Sequence, residues 1–389
     1  MPWLEDENTK LDIKISTIDT PSKEELLERG GHSAAICYTE HPWNVICLED
    51  EKKTVSRIDR TLENKHHSVY EHRSVSLYLE NIPKALAMVL NNEPPYATSE
   101  KSARYTEMQN IPPLEEEKYM KWRDILEQSI YNEYPTLDSK KIPKLAMENA
   151  RYMLSVFTPT QMEYTVDVRQ LNYLTRWMQE YILETPEKST YVERMKRSMS
   201  AFLMSDVIKD LTVGKMEPRK IRKISLFSDV IPQKEIFDYV YQTSYYGSFA
   251  QLAQAQRHRT ISYKFALPQE PKRFYIPPII REEESLVKEW ERDIQEVSPY
   301  WPQGTMVNIS EKGELDYFVL KCYERLCGHA QLEIMEQTRK TLQKYIGNTE
   351  DENIRRFLHQ YNKGPQCTFP KGECSSPCFF KSKALERKI

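Results

Sequence analysis

Apolar positions recur along this chain with two periods. Ser74 to Ile82 alternates Val75, Leu77 and Leu79 with Ser76, Tyr78 and Glu80, which predicts a strand. Pro83 then opens a short apolar helix over Lys84–Asn91, and Asn92-Glu-Pro-Pro95 ends it. A second alternation, Tyr239, Tyr241, Thr243 and Tyr245, makes 234–246 β-prone. It leads into an apolar-periodic run, Ser248 to Ala255, that reads as a helix. Pro143 starts a helix expected to carry Arg151. Thr165–Ile182 reads as a longer helix, with Val168, Leu171 and Leu174 inward and Arg169 and Arg176 on the polar side. Tyr191–Ile208 is a further amphipathic helix. Leu315–Tyr345 reads as one long helix, which makes Arg325 and His329 neighbours on its surface. Residues 1–30 are polar and read as a lead-in, and Ser33–Tyr38 as a short buried segment.

Composition narrows the class. Hydrophobic residues are 39% and charged residues 29% of 389, as in a soluble globular protein of two or three domains. Ten glycines are few for a glycine-rich dinucleotide fold. A net charge of −3 predicts no general affinity for nucleic acid or membrane. No apolar run reaches the length of a transmembrane helix, and the acidic start lacks a signal-peptide core. Seven thinly spread cysteines suit a reduced, cytoplasmic protein.

Three stretches carry candidate chemistry. In Gln254-Ala-Gln-Arg-His-Arg-Thr-Ile-Ser262, Gln254 and Arg257 share a helix face, and Arg257, His258 and Arg259 leave the helix together. Two guanidiniums flanking an imidazole suit a phosphorylated or polar planar ligand, and a solvated basic helix end is the plainer reading. In Ser99-Glu-Lys-Ser-Ala-Arg-Tyr105, the alternating Glu100, Ser102 and Arg104 would point the same way from an extended loop. Such a set can hold a nucleotide's sugar and phosphate, or be only a polar loop. Lys65-His-His-Ser-Val-Tyr-Glu-His72 lacks the strong zinc pattern, so a cofactor pocket or helix capping by Ser68 is favoured over metal. Cys367, Cys374 and Cys378 would need a fourth ligand such as His359 to hold zinc, and a flexible, oxidisable tail is the alternative.

The chain also repeats loosely after about residue 220. An offset of 165 residues places Pro83 on Ser248 and Asn92 on Arg257. These pieces resemble the flavin-dependent thymidylate synthases, the ThyX family, with the family pattern present twice over roughly residues 30–345. The family's continuous Arg-His-Arg-x-x-Ser-x-x-Glu-x-Ser-x-Arg-Tyr motif is split. The second half keeps Gln254, Arg257, His258, Arg259 and Ser262, but has Phe265, Leu267 and Gln269 where the family has glutamate, serine and arginine. The first half keeps Glu100, Ser102, Arg104 and Tyr105, but has Asn92, Glu93 and Pro94 in place of Arg-His-Arg. His66, Ser68, Glu71 and His72 match an upstream family segment in the first half only. Arg151 and Arg273 match an Ala-Arg-x-x-Leu-Pro segment. Asp167 replaces an asparagine. The family arginine that polarises uracil falls on Met178 in the first half and on Arg325 in the second.

The resemblance implies an α+β fold of two tandem repeats, each a mixed or antiparallel sheet with packed helices. The expected limits are a lead-in at 1–30, repeats at 31–219 and 220–350, and a cysteine-containing tail at 351–389. It implies reductive methylation of dUMP at C5, with FAD, NADPH and methylenetetrahydrofolate, at a composite site shared between the repeats. Arg325, Arg257 and Ser102 would be catalytic. His66, Ser68, Glu71, Arg257, His258 and Arg259 would hold flavin. Gln254, Glu100, Ser102, Arg104, Arg151 and Arg273 would hold the pyrimidine nucleotide, and no metal is expected. Action on UMP or a modified dUMP, or a non-catalytic binding role, are the alternatives. Family members are tetramers of single-repeat subunits, so a homodimer is expected. The family's habit of building sites at subunit interfaces favours sites that span two chains.

Overall fold

The computed structural model describes residues 12–108, 110–214, 216, 234–374, 376 and 378–389. The first eleven residues and the expected repeat boundary near 220 lie outside them. In chain order the structure begins with β1 (Lys14–Thr17), α1 (Lys23–Ala35), α2 (Trp43–Ile46), α3 (Glu51–Glu63), β2 (Ser74–Pro83), α4 (Lys84–Leu90) and β3 (Ala97–Glu100). Then come α5 (Pro113–Glu133), α6 (Ile142–Ala150), β4 (Pro159–Asp167), α7 (Val168–Glu184), α8 (Thr190–Met204) and α9 (Asp206–Leu211). The remainder is β5 (Ile236–Phe237), β6 (Val240–Ser248), α10 (Phe249–Ala255), β7 (Ser262–Ala266), α11 (Glu284–Glu296), β8 (Met306–Glu314), α12 (Leu315–Arg325), α13 (Leu332–Asn348) and α14 (Glu352–His359).

The chain divides into two compact units. The first holds residues up to Lys101 and Pro159–Ile224, and the second holds Ser102–Thr158 and Ser225–Ile389. The class is α+β, and each unit is built on one antiparallel four-stranded sheet. The orders are β1-β2-β4-β3 and β5-β6-β8-β7, the same path traced in sequence order. Residues 102–158 interrupt the sequence of the first unit and fold with the second.

In the first unit, β2 buries Val75, Leu77 and Leu79 on one face, and β4 buries Thr160, Met162, Tyr164 and Val166 against them. Asp167 caps α7 by accepting from the Gln170 amide at 2.8 Å. Ser22 and Glu25 form a capping box on α1. Gly30 lies flat against the Tyr70 ring, where a Cβ would collide.

In the second unit, α5 and α6 pack on α11. Trp122 meets Trp290 edge-on at 4.8 Å, and the Trp122 indole donates to buried Asp293 at 3.0 Å. A second cluster joins Phe237, Tyr241, Phe318, Cys322 and Tyr345.

Several expectations change. Thr165 to Asp167 belong to β4, because the alternation that starts at Thr160 runs on to the capping aspartate. The 191–208 segment is two helices, parted at Ser205. The long helix of 315–345 breaks at Leu326, whose ψ of 58° leaves the helical region, so Arg325 and His329 do not share a helix face. Ile36 and Tyr38 are exposed, and residues 30–35 are buried instead as the end of α1. The 1–30 lead-in contains β1, which pairs with β2. Arg151 sits just beyond α6 as its C-cap. Within the 351–389 segment Leu358, Phe369, Ala384 and Ile389 are buried in the second unit.

Candidate functional site

The site is built on the second unit's β6–α10 corner and the end of α12. Ser248 caps α10 with a bond from the Gln251 amide at 3.0 Å. Its own amide and hydroxyl donate to the buried Glu333 carboxylate at 2.8 and 2.5 Å. Tyr152 also donates to Glu333, at 2.9 Å, and receives a bond from Gln331 at 2.8 Å. Burial raises the pKa of Glu333, against the bonds from Ser248 and Tyr152 that favour its ionised form. This network fixes where α10 starts.

Beyond Ala255 the chain turns, with the His258 amide bonding to the Ala255 carbonyl and the Ile261 amide to that of His258. The turn separates the Arg-His-Arg side chains. His258 is buried, whereas Arg257 and Arg259 are exposed. Arg325, the last residue of α12, donates its Nε to His258 Nε2 at 2.6 Å, and its Nη2 lies 3.5 Å from the Gln254 carbonyl. Burial, then the charges of Arg325 and Lys321, push the His258 pKa down to about 2. The imidazole is therefore neutral and accepts at Nε2, while Nδ1 faces Glu324 Oε2 at 3.5 Å.

Arg104 approaches from the 102–158 segment. Its Nε donates to Glu148 at 2.7 Å and its Nη2 to the His329 carbonyl at 3.0 Å. Burial alone would lower the pKa of Arg104, but the charge and hydrogen bond of Glu148, with Tyr105 and Tyr152, together raise it. Arg151 is almost fully buried, and its Nε and Nη2 have no hydrogen-bond partner among the described residues. Burial lowers its pKa, and Arg104 adds to that. The pKa of Arg325 is likewise lowered, first by burial and further by Arg104 and Arg257. Arg104, Arg151, Arg257 and Arg325 thus share one field within a single chain. Arg104 and Arg257 both belong to the second unit, because residues 102–158 fold with it.

Behind the cluster lies a fully buried ion pair, Lys321 Nζ to Glu311 at 2.7 Å. Glu311 also accepts from Tyr241 at 2.5 Å and Tyr245 at 2.7 Å, and Lys321 lies over the Tyr263 ring at 5.3 Å. Sequence reasoning missed Glu148, Glu333, Glu311 and Lys321. Glu148 alone left a local signal, a carboxylate three residues before Arg151 on the same helical turn.

Other expected site residues are engaged elsewhere. Glu100 ends β3 in the first unit, where Lys84 pairs with it at 2.5 Å and Asn91 donates at 3.0 Å. Residues 102–106 form a turn, not an extended loop, and the Ser102 hydroxyl accepts from the Arg104 amide at 3.3 Å. Arg273 is exposed, stacked over Tyr246 at 5.1 Å, and lines a separate groove of about 590 Å³ with Phe274, Gln295 and Met306. In the first unit Glu71 pairs with Arg169 at 2.7 Å. Ser68 makes no helix cap there. Among the described residues no cluster of three or more His, Cys, Asp or Glu side chains is placed to hold a metal ion, and no helix is long and apolar enough to cross a membrane.

The two units keep equivalent positions. Glu100 faces Met162 across β3–β4, and Phe265 faces Ile309 across β7–β8, at the same register from the strand ends. Met178 stands as far into α7 as Arg325 does into α12.

Comparison with known proteins adds the family. No curated protein matches the chain. Among solved structures, the UMP/dUMP methylase PolB from Streptomyces cacaoi bound with 5-Br dUMP is similar at 19% identity, over 52% of this chain and 91% of that one, with a TM-score of 0.33. The flavin-dependent thymidylate synthase ThyX from Helicobacter pylori, complexed with FAD and dUMP, is similar at 13% identity, over 52% of this chain and 100% of that one, with a TM-score of 0.32. The thymidylate synthase complementing protein family, Thy1, matches residues 21–203, a span that includes Arg104 and Arg151. The likeness to that family is carried by residues 21–203, a little under half of the chain.

Proposed function

We propose that this protein is a flavin-dependent enzyme that methylates dUMP at C5, taking the carbon from methylenetetrahydrofolate and using NADPH to reduce FAD. The observation that carries the reading is Arg151, a buried guanidinium with two unpartnered nitrogens in the field of Arg104. An unpaired buried charge is costly unless a ligand completes it, and a phosphate oxygen matches the planar donor fork. The site draws on both sequence repeats: Arg104 and Arg151 come from the first, and Gln254, Arg257, His258, Arg259 and Arg325 from the second. All seven lie in one compact unit.

In this reading Arg104 and Arg151 hold the phosphate, and Gln254 meets the uracil side. Arg325 hydrogen-bonds the pyrimidine and stabilises negative charge that develops on it. Neutral His258 receives Arg325 Nε and so fixes the direction in which the rest of that guanidinium points. The exposed Arg257 and Arg259 fit an anionic, planar cofactor. FAD, when bound, would supply the reducing equivalents, and the protein supplies placement and electrostatics. A homodimer and a cytoplasmic setting belong to the same reading, and a monomer by light scattering would remove the dimer.

The test is product analysis by mass spectrometry, with FAD, NADPH and methylenetetrahydrofolate and with dUMP and UMP in parallel. A 5-methylated dUMP is expected. Methylation of UMP alone would replace the substrate. No product with either nucleotide, from a protein that retains no flavin, would leave a non-catalytic binding role.

A further inference from the structure

The segment 351–389 lies outside the family match, yet one of its side chains reaches behind the arginine cluster. Arg387 is only 6% exposed. Its Nη2 donates to the Ala330 carbonyl at 2.6 Å, and its Nη1 to those of Cys327 at 3.3 Å and Ala384 at 2.9 Å. Its Nε donates to the Ile389 carbonyl at 2.7 Å. Two of these four acceptors lie in the 326–331 loop between α12 and α13. That loop follows Arg325 directly, and its His329 carbonyl receives Arg104 Nη2. Three further contacts grip the same loop: the Gln366 amide donates to the Leu326 carbonyl at 2.6 Å, His329 Nε2 meets the Ser376 carbonyl at 2.8 Å, and Cys378 packs where a Gly328 side chain would stand.

We propose that Arg387 is a positioning residue for the nucleotide site: it gathers the Cys327 and Ala330 carbonyls beyond α12 and holds the loop that follows Arg325 and orients Arg104. A helix end leaves carbonyls without intrahelical partners, and a cationic side chain satisfies them. An apolar residue could fill the same space without the cost of burying a charge. The Ala330 amide closes a turn on the Cys327 carbonyl at 3.1 Å, and the guanidinium fork ties both carbonyls of that turn to the Ala384 and Ile389 carbonyls. Without it the Ala330 carbonyl loses its guanidinium donor, the turn loosens from the end of the chain, and Arg104 loses one of its two holds. Burial lowers the pKa of Arg387; Glu148, the other hold, acts against this, and Arg104 adds to it. The inference rests on the reading of Arg104 as a nucleotide ligand.

The test uses the full chain and dUMP titrated by calorimetry, with thermal melting of each variant. Arg387→Ala should weaken dUMP binding about tenfold, the size of coupling found within one shared network. Added to Arg104→Ala it should cost little more, because it acts through that residue. Leu358→Ala, a buried change in the same segment, should lower the melting temperature without moving dUMP affinity. Wild-type affinity in Arg387→Ala overturns the proposal. So does a loss that adds in full to that of Arg104→Ala, or an equal loss in Leu358→Ala. Should Arg387→Ala not fold, Arg387→Lys, whose single ammonium cannot span the carbonyls, takes its place with the same outcomes. Unchanged dUMP binding in Arg104→Ala would sink the nucleotide reading itself, separately from the role of Arg387.

Discussion

Because His258 is buried as a neutral acceptor, this one side chain should add its own defined slope to the loss of stability in mild acid. In the folded chain its pKa is pushed down to about 2, first by burial and then by Arg325 and Lys321, from an ordinary value of 6.5. Glu324 is the only facing carboxylate among the described residues, and at 3.5 Å on an exposed side chain it offsets little. Between those two pKa values the unfolded chain binds more protons than the folded one. Stability is therefore fully present above about pH 6.5 and is lost as pH falls towards the folded value. Each pH unit inside that window removes about 1.4 kcal/mol, so going from pH 7 to pH 5 should cost about 2 kcal/mol. Glutamine at this position can still accept from Arg325 Nε but does not titrate. Urea unfolding of the wild type and of His258→Gln across this range isolates the effect, because the lowered carboxylates Glu49, Glu235 and Asp293 titrate equally in both. Glu333, raised by burial, also cancels in the difference. Parallel stability–pH curves for the two proteins would refute the buried neutral imidazole.

Four other outcomes are expected. Lys321→Met should cost about 3–5 kcal/mol in urea unfolding by leaving Glu311 buried and unpaired, and the double change with Glu311→Gln should recover part of it. Arg325→Ala should lower kcat on the order of a hundredfold, and Met178→Ala should cost only packing; equal mild effects would break the equivalence of the two helices. Arg257→Ala should fold but lose flavin, and full flavin absorbance in that variant would remove the assignment. Mixing Arg104→Ala with Arg257→Ala chains and refolding them should restore no activity, because both residues lie in the same unit of one chain; recovery of about a quarter of wild-type activity would mean that sites span a closed dimer.

Much of the fold was legible because it rests on local period. The alternation of Val75, Leu77 and Leu79 forecast β2, and that of Tyr239 to Tyr245 forecast β6. The break between α12 and α13 was not legible. Leu326, Ala330, Leu332 and Ile334 are buried on both sides of it, so the apolar pattern runs through without a gap. The groups that meet the broken stretch are distant in sequence: Gln366 and Arg387 donate to its carbonyls, and Cys378 packs on Gly328. The Arg-His-Arg stretch announced a site, but the partner that meets buried His258 is Arg325, 67 residues away. Arg104 joining Arg325 was beyond local reading as well, because it depends on Trp122 and Trp290 packing 102–158 into the second unit.

That packing gives the divided motif a physical rationale. At the position equivalent to Glu100, the second unit has Phe265; at the position equivalent to Arg325, the first has Met178. Both are fully buried. A glutamate in place of Phe265 would need a partner such as Lys84 gives Glu100, and an arginine in place of Met178 would need a carbonyl or imidazole such as Arg325 finds. Residues 102–158 already bring Arg104, Glu148 and Arg151 to the second unit, so its cationic set is complete without a local copy of the glutamate–serine–arginine group. Apolar packing at Phe265 on β7 and Met178 on α7 then stabilises each core where a charge without a ligand would weaken it. In this reading the losses in the two halves match because one set of charged groups, gathered in one unit, satisfies the ligand, and the equivalent positions serve the core.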